Sequence, residues 1–209
     1  MKTPTQEIAY FYNEIKVFSE LVQFSERVWP EELTKYQISL ADENEKYGDR
    51  YDFRTDLSSK LSSEFPQTQR RAYLVMLLAL LEDFLNQFCL SVQESQRLSK
   101  SLFDIEGKGI ERAKKYLTEN SRITLPLQSR EWQSIKNSQS VRNIIVHSAG
   151  HLDLDKHKKT ISIVSAAQNL ESESFARVHL VIKESYILEL TSDIEVFCEN
   201  LLTQFGINA

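Results

Sequence analysis

The stretch Val141-Arg142-Asn143-Ile144-Ile145-Val146-His147-Ser148-Ala149-Gly150 sets a permanent cation, an amide and an imidazole inside an apolar run. Arginine offers paired donors to a phosphate. Histidine gives or takes a proton near neutral pH. Together they suit RNA cleavage without a metal. A base removes the ribose 2′-OH proton, the oxygen attacks the adjacent phosphorus, an acid protonates the leaving 5′-oxygen, and the guanidinium stabilises the phosphoryl charge. On a helix Asn143 and His147, four apart, share a face. Arg142 and His147 stand roughly 140° apart around the axis and about 7.5 Å apart along it, so the arginine must reach round. One histidine is also short of the two proton-transfer groups this chemistry uses, and a second chain meeting the first at this helix supplies the other.

The element carrying this stretch reads as a helix that follows Pro126, runs through Trp132 and Ile135, and stops at Gly150. Upstream, Thr3-Pro4-Thr5-Gln6 starts a helix with a Thr cap and Pro at the first position. Ile8, Phe11, Tyr12, Ile15, Phe18 and Val22 recur at helical spacing to about Val28, where Trp29-Pro30 is expected to stop it. The acidic segment 30–56 reads as a loop with short helical pieces. Phe65-Pro66 introduces the strongest helix, apolar almost all round from Tyr73 to Phe88 and therefore central. Residues 107–118 form another. Thr160–Val164 and Arg177–Lys183 alternate and are β-branched, which predicts two short strands. Ile187, Leu190, Ile194, Phe197, Leu201 and Phe205 then mark a last helix. The expected fold is mainly α, a helical bundle with a small two-stranded β insertion before the C-terminal helix. It reads as a single domain over 1–209, with an N-terminal helical extension at 1–60, a core at 66–205 and the insertion at 158–184.

A net charge of −5 over 209 residues conceals a strong asymmetry. Residues 108–159 hold eleven Lys or Arg against five Asp or Glu, a balance of +6 that leaves −11 elsewhere. The Arg142–His147 stretch lies inside this one basic region, where a nucleic-acid substrate would be attracted. Cys89 and Cys198 sit in apolar runs without metal-ligand spacing and read as buried free thiols of a reducing compartment. The N-terminus does not read as a signal peptide. The longest apolar run, Ala72 to Leu81, is shorter than the roughly 20 residues of a membrane span. A cytoplasmic protein is expected, with no membrane partner.

Arg142-Asn143-Ile144-Ile145-Val146-His147 resembles the Arg-x4–6-His signature of HEPN domains (higher eukaryotes and prokaryotes nucleotide-binding), including the polar residue directly after the arginine. Leu80-Leu81-Glu82-Asp83-Phe84-Leu85-Asn86 resembles that family's second core helix. The likeness spans most of 66–205 in outline and six residues sharply. It implies a metal-independent endoribonuclease of a toxin–antitoxin or antiphage type, a homodimer whose motifs face a shared cleft, and an antitoxin or defence-system partner. It also implies catalytic roles for Arg142 and His147 and a phosphate-contacting role for Asn143. Family members encoded beside a minimal nucleotidyltransferase carry a tyrosine two residues after the histidine, where this chain has Ala149. That subgroup is disfavoured.

Lys136 and Lys158 extend the basic surface toward substrate phosphates. Glu82 interrupts the greasiest helix and is a candidate to orient the guanidinium from behind. His157, among lysines, reads as part of the same basic surface. Trp132 is placed to stack a base or, more commonly, to pack in the core. His151 with Asp153 and Asp155 matches no strong ligand spacing, so no metal and no cofactor is expected. The chain has no Walker loop, dinucleotide fingerprint or serine-hydrolase elbow. The alternative to the enzyme is a non-catalytic module of the same fold that binds RNA, nucleotide or a protein.

Overall fold

The computed structural model describes residues 4–47, 54–174 and 178–206. Its elements in order are α1 (Pro4–Tyr47), α2 (Arg54–Ser59), α3 (Phe65–Gln96), α4 (Gly109–Asn120), α5 (Arg130–Ser148), β1 (His151–Leu152), α6 (Lys158–Ala166), β2 (Leu170–Ser174), β3 (Val178–Ile182) and α7 (Glu184–Gln204). The chain is mainly α with a small β element ahead of the last helix. The Thr3 cap and Arg177 lie outside the described residues.

Helix α3 is central, as its apolar girth requires. Leu74, Leu77, Leu81, Leu85, Cys89 and Val92 are fully enclosed, and the helix packs against α1, α4, α5 and α7. By length and composition, Leu57–Gln96 is long and apolar enough to cross a membrane, but half of its most apolar window is buried inside the bundle. That is the packing of a core helix.

Two expectations fail for physical reasons. Helix α1 does not stop at Trp29-Pro30 but continues to Tyr47 with Pro30 inside it. The proline removes one backbone bond, while side chains just before it hold the helix to α3 and one just after it bonds back within α1. The Glu26 carboxylate accepts from Arg70, Trp29 Nε1 donates to Gln69 Oε1 at 2.6 Å, and Thr34 Oγ1 donates to the Pro30 carbonyl at 2.8 Å. Most of the predicted acidic loop is therefore helix. Helix α3 does begin at Phe65-Pro66 as expected, and a π turn over Lys60–Glu64 joins it to α2, which starts at Arg54. Pro66 has no N–H to continue an α ladder, and the wider turn lets Phe65 N–H bond the Lys60 carbonyl instead. Second, Thr160–Val164 is not a strand. It lies in α6, where Thr160 and Val164, four apart, are the buried pair.

The strand expected at the other position exists as β3, and it is the middle of three. The sheet order is β1-β3-β2, antiparallel throughout. β1 covers only Val178 and His179, so the rest of that edge is bare of strand partners. Helix α3 fills it with side chains. Gln67 accepts from Ile182 N–H at 3.0 Å and donates to the Ile182 carbonyl at 2.9 Å, as a neighbouring strand would. Arg70 Nη1 also donates to that carbonyl at 3.1 Å, and Arg71 Nη2 to the Leu180 carbonyl at 2.8 Å.

The end of α5 is tied to the same place. Ala149 adopts the left-handed conformation (φ 50°), and Gly150 N–H returns to the Ile144 carbonyl at 3.2 Å. Arg71 Nη1 reaches the Ala149 carbonyl at 3.4 Å. Gly150 has φ 82°, and a Cβ there would stand 3.0 Å from Arg71 Cζ, so glycine serves both the turn and the approach of the guanidinium. Partial burial lowers the Arg71 pKa, yet the cation is held by carbonyls at a helix C-terminus, where positive charge is favoured.

Arg71→Met keeps the stem and removes the donors to two carbonyls. It should lower unfolding free energy by about 2–4 kcal/mol, measured as a lower urea midpoint with unchanged slope. Alkaline pH should act on the core as a whole. Burial pushes the Cys89 thiol from 9.0 to about 12 and the Tyr186 phenol from 10.0 to about 12, the latter despite its bond to Ser138. Both pKa values are raised on folding, so their stabilisation is complete below pH 9 and is lost as pH rises toward 12. The urea midpoint should fall across that interval, and a flat midpoint would contradict the burial of these groups.

Candidate phosphate-binding cleft

Helix α5 presents Lys136, Gln139, Ser140 and Asn143 along one face, at the +3, +4, +7 spacing of a helical stripe. Facing it are Leu78, Ala79 and Glu82 of α3, the start of α4, and Lys159 of α6. Between them lies a cleft of about 610 Å³. Arg142 borders it as well, so its charged lining is Lys108, Lys136, Arg142 and Lys159 against Glu82 and Glu111. A positive balance in a recess with apolar walls concentrates field on an incoming anion.

Arg142 Nη1 donates to Asn143 Oδ1 at 3.3 Å. The amide thus steers the guanidinium along the cleft wall, and its own NH2 group remains a donor for a ligand oxygen. Glu82 enters the cleft from α3 and lies close to Gly109. A Cβ on Gly109 would sit 2.9 Å from Glu82 Oε2. The carboxylate therefore lies against the first residue of α4, where an acid is favoured by the helix dipole. Lys108, at the cap of α4, is extended and makes no side-chain capping bond.

Four sequence candidates, Arg142, Asn143, Lys136 and Glu82, therefore share one cleft. His147 does not line it. The imidazole is exposed in the last turn of α5. Lys158 is exposed at the first turn of α6, and its neighbour Lys159 is the lysine that turns inward. Lys108, Lys159, Gln139 and Ser140 were missed. The two α5 residues were findable, because they fall on the stripe of Lys136 and Asn143. The lysines come from other elements, and no periodicity joins them.

One further expectation changes. His157 is not free on the basic surface but tied into a turn, its Nδ1 accepting from Asp153 N–H at 2.9 Å. Asp153 also accepts from Asp155 and Lys156 N–H, so the ring closes a local turn ahead of α6. Trp132 takes the more common of its two expected fates: it is buried in the core and packs on Phe197, ring centroids 5.4 Å apart.

Three of the four histidines, His151, His157 and His179, gather beyond the end of α5. His151 and His179 are cross-strand partners with ring centroids 4.3 Å apart, and His151 and His157 line one recess with Ser148 and Lys156. Among the described residues no three His, Cys, Asp or Glu side chains converge as a metal site.

Arg71 of α3 lies level with Ala149, and Ala79 with the Arg142 cleft. Met76, between them on α3, therefore comes level with the Val146 region of α5. Met76 and Val146 are both exposed, and so is Leu154 just beyond β1.

Comparison with known protein families, with characterised proteins and with solved structures finds no match for this chain.

Proposed function

We propose that this chain is a metal-independent endoribonuclease of HEPN type, working in the cytoplasm in a toxin–antitoxin or antiphage role. The observation that carries the reading is that Arg142, braced by Asn143, opens into a cation-lined cleft while His147 stands free at the end of the same helix. An RNA phosphate in the cleft meets the guanidinium and the lysines. The imidazole takes the 2′-OH proton, the 2′-oxygen bonds to phosphorus, the P–O5′ bond breaks, and an acid returns a proton to O5′.

Within one chain the two groups point to different places. A second copy meeting the first across Met76 and Val146 brings its own His147 toward the first cleft, and the pair supplies both a base and an acid. The exposed apolar side chains Met76 and Val146 support that pairing. The alternative, a module that binds RNA, nucleotide or a protein without cutting, uses the same cleft and does not need the histidine.

Purified protein incubated with RNA in EDTA should cut it and leave cyclic-phosphate ends. Arg142→Ala and His147→Ala should each lower the rate by about 100-fold or more while binding persists in the histidine variant. Binding without cleavage in all three proteins would favour the alternative. Met76→Glu places a charge in that contact. It should lower the solution mass measured by light scattering and reduce cleavage together, and an unchanged mass would remove the dimeric site.

A further inference from the structure

Helix α1 carries two apolar seams. One is buried against α3 and α7 and includes Phe11, Ile15, Phe18 and Val22. The other faces outward. Tyr10 is 56% exposed, Val17 54%, Leu21 41% and Phe24 57%. With half-buried Val28 they step by seven, four, three and four residues, which is the 3.5 period of a coiled-coil seam. Scattered exposed apolar residues need no explanation, but a contiguous stripe with this period does.

We infer that this seam pairs with the same seam of a second copy, the two α1 helices running antiparallel about a two-fold axis between Leu21 and Phe24. In that register Leu21 is level with Phe24 of the second copy, and Val17 with its Val28. The charges beside the seam agree. Glu20 and Arg27 occupy equivalent flanking positions, each one residue before a seam position. The antiparallel register brings Glu20 within about 3 Å, along the axis, of Arg27 of the second copy, and does so twice. A parallel pair holds Glu20 and Arg27 about 10 Å apart along the seam, and like acids meet toward its ends in either orientation, so the Glu20–Arg27 offset is what separates the two. Beyond Val17 and Val28 the antiparallel seam turns polar, with Glu14 level with Glu31 of the second copy and Tyr10 with its Lys35. The apolar contact is therefore confined to the centre, which sets the register.

The four exposed side chains offer about 100 Å² each, or about 800 Å² over both copies, short of the roughly 1,200 Å² of a standard stable interface. The association is therefore reversible and concentration-dependent. It is also separate from the cleft. Both α3 and α7 pack against α1 on one side and α5 on the other, so the seam lies diagonally across the bundle from Arg142. Two different self-pairing faces on one chain give assemblies larger than a dimer.

Sedimentation of the full chain over a micromolar concentration range tests the pairing. The series is run on the Met76→Glu background, so that only association through α1 remains. Glu20→Arg and Arg27→Glu should each weaken association by about tenfold or more, because each sets like charges together twice, and the two combined should restore it. Phe24→Glu should abolish it. All these positions are exposed, and circular dichroism checks that each variant keeps its helix. Single reversals without effect, or a double reversal that fails to restore association, would overturn the inference. Restoration by the double reversal identifies a second copy as the occupant, because a different partner would not carry the compensating change.

Discussion

The arrangement of the cleft depends on how the first turns of α3 complete the open edge of β3. β1 is two residues long and leaves Leu180 and Ile182 with edge groups facing the bundle. Buried backbone groups must find partners, and Gln67, Arg70 and Arg71 supply them. The amide of Gln67 imitates a strand residue by donating and accepting at once. Arg71 then reaches the last carbonyls of α5 from the same anchor. One short segment of the central helix thereby holds the sheet, the left-handed turn at Ala149 and the end of the helix that carries Arg142 and His147.

That junction explains why two residues five apart on α5 serve different surfaces. The stripe of Lys136, Gln139, Ser140 and Asn143 is turned toward α4 and α6, and Arg142 follows it by bonding Asn143. The next turn ends at Arg71, so the helix has no slack to rotate His147 into the same recess. Residues five apart on a regular helix stand about 140° around its axis, in keeping with His147 lying outside the cleft that Arg142 borders.

Much of this was legible in the residues. The central helix announced itself through an apolar girth that no surface helix tolerates, and the basic stretch located the cleft. Where the reading failed, tertiary contacts overrode local preference. Pro30 is a breaker only if nothing else holds the helix, and the Glu26–Arg70 and Trp29–Gln69 contacts cannot be seen in a linear pattern. Thr160–Val164 alternates like a strand, but its two buried residues are four apart, and β propensity is weak against such context. Leu170–Ser174 escaped notice because an edge strand with exposed Glu171 and Glu173 has only one buried apolar residue. Charged edges of this kind discourage further strand addition.

The first helix shows how a correct reading can hide a second one. Phe11, Ile15, Phe18 and Val22 announce an amphipathic helix, and they are the residues it buries. Once that stripe accounts for the helix, Val17, Leu21 and Phe24 look like ordinary surface scatter. Their register becomes visible only when exposure is laid over the sequence, because the outward seam lies one residue ahead of the buried one, about 100° around the axis. A helix that buries one stripe and exposes a regular second stripe is apolar across much of its circumference. In a soluble bundle such a helix is unfavourable without a cover. The flanking Glu20 and Arg27, complementary only when the chain is turned end for end against itself, point to the cover being another copy of the same helix.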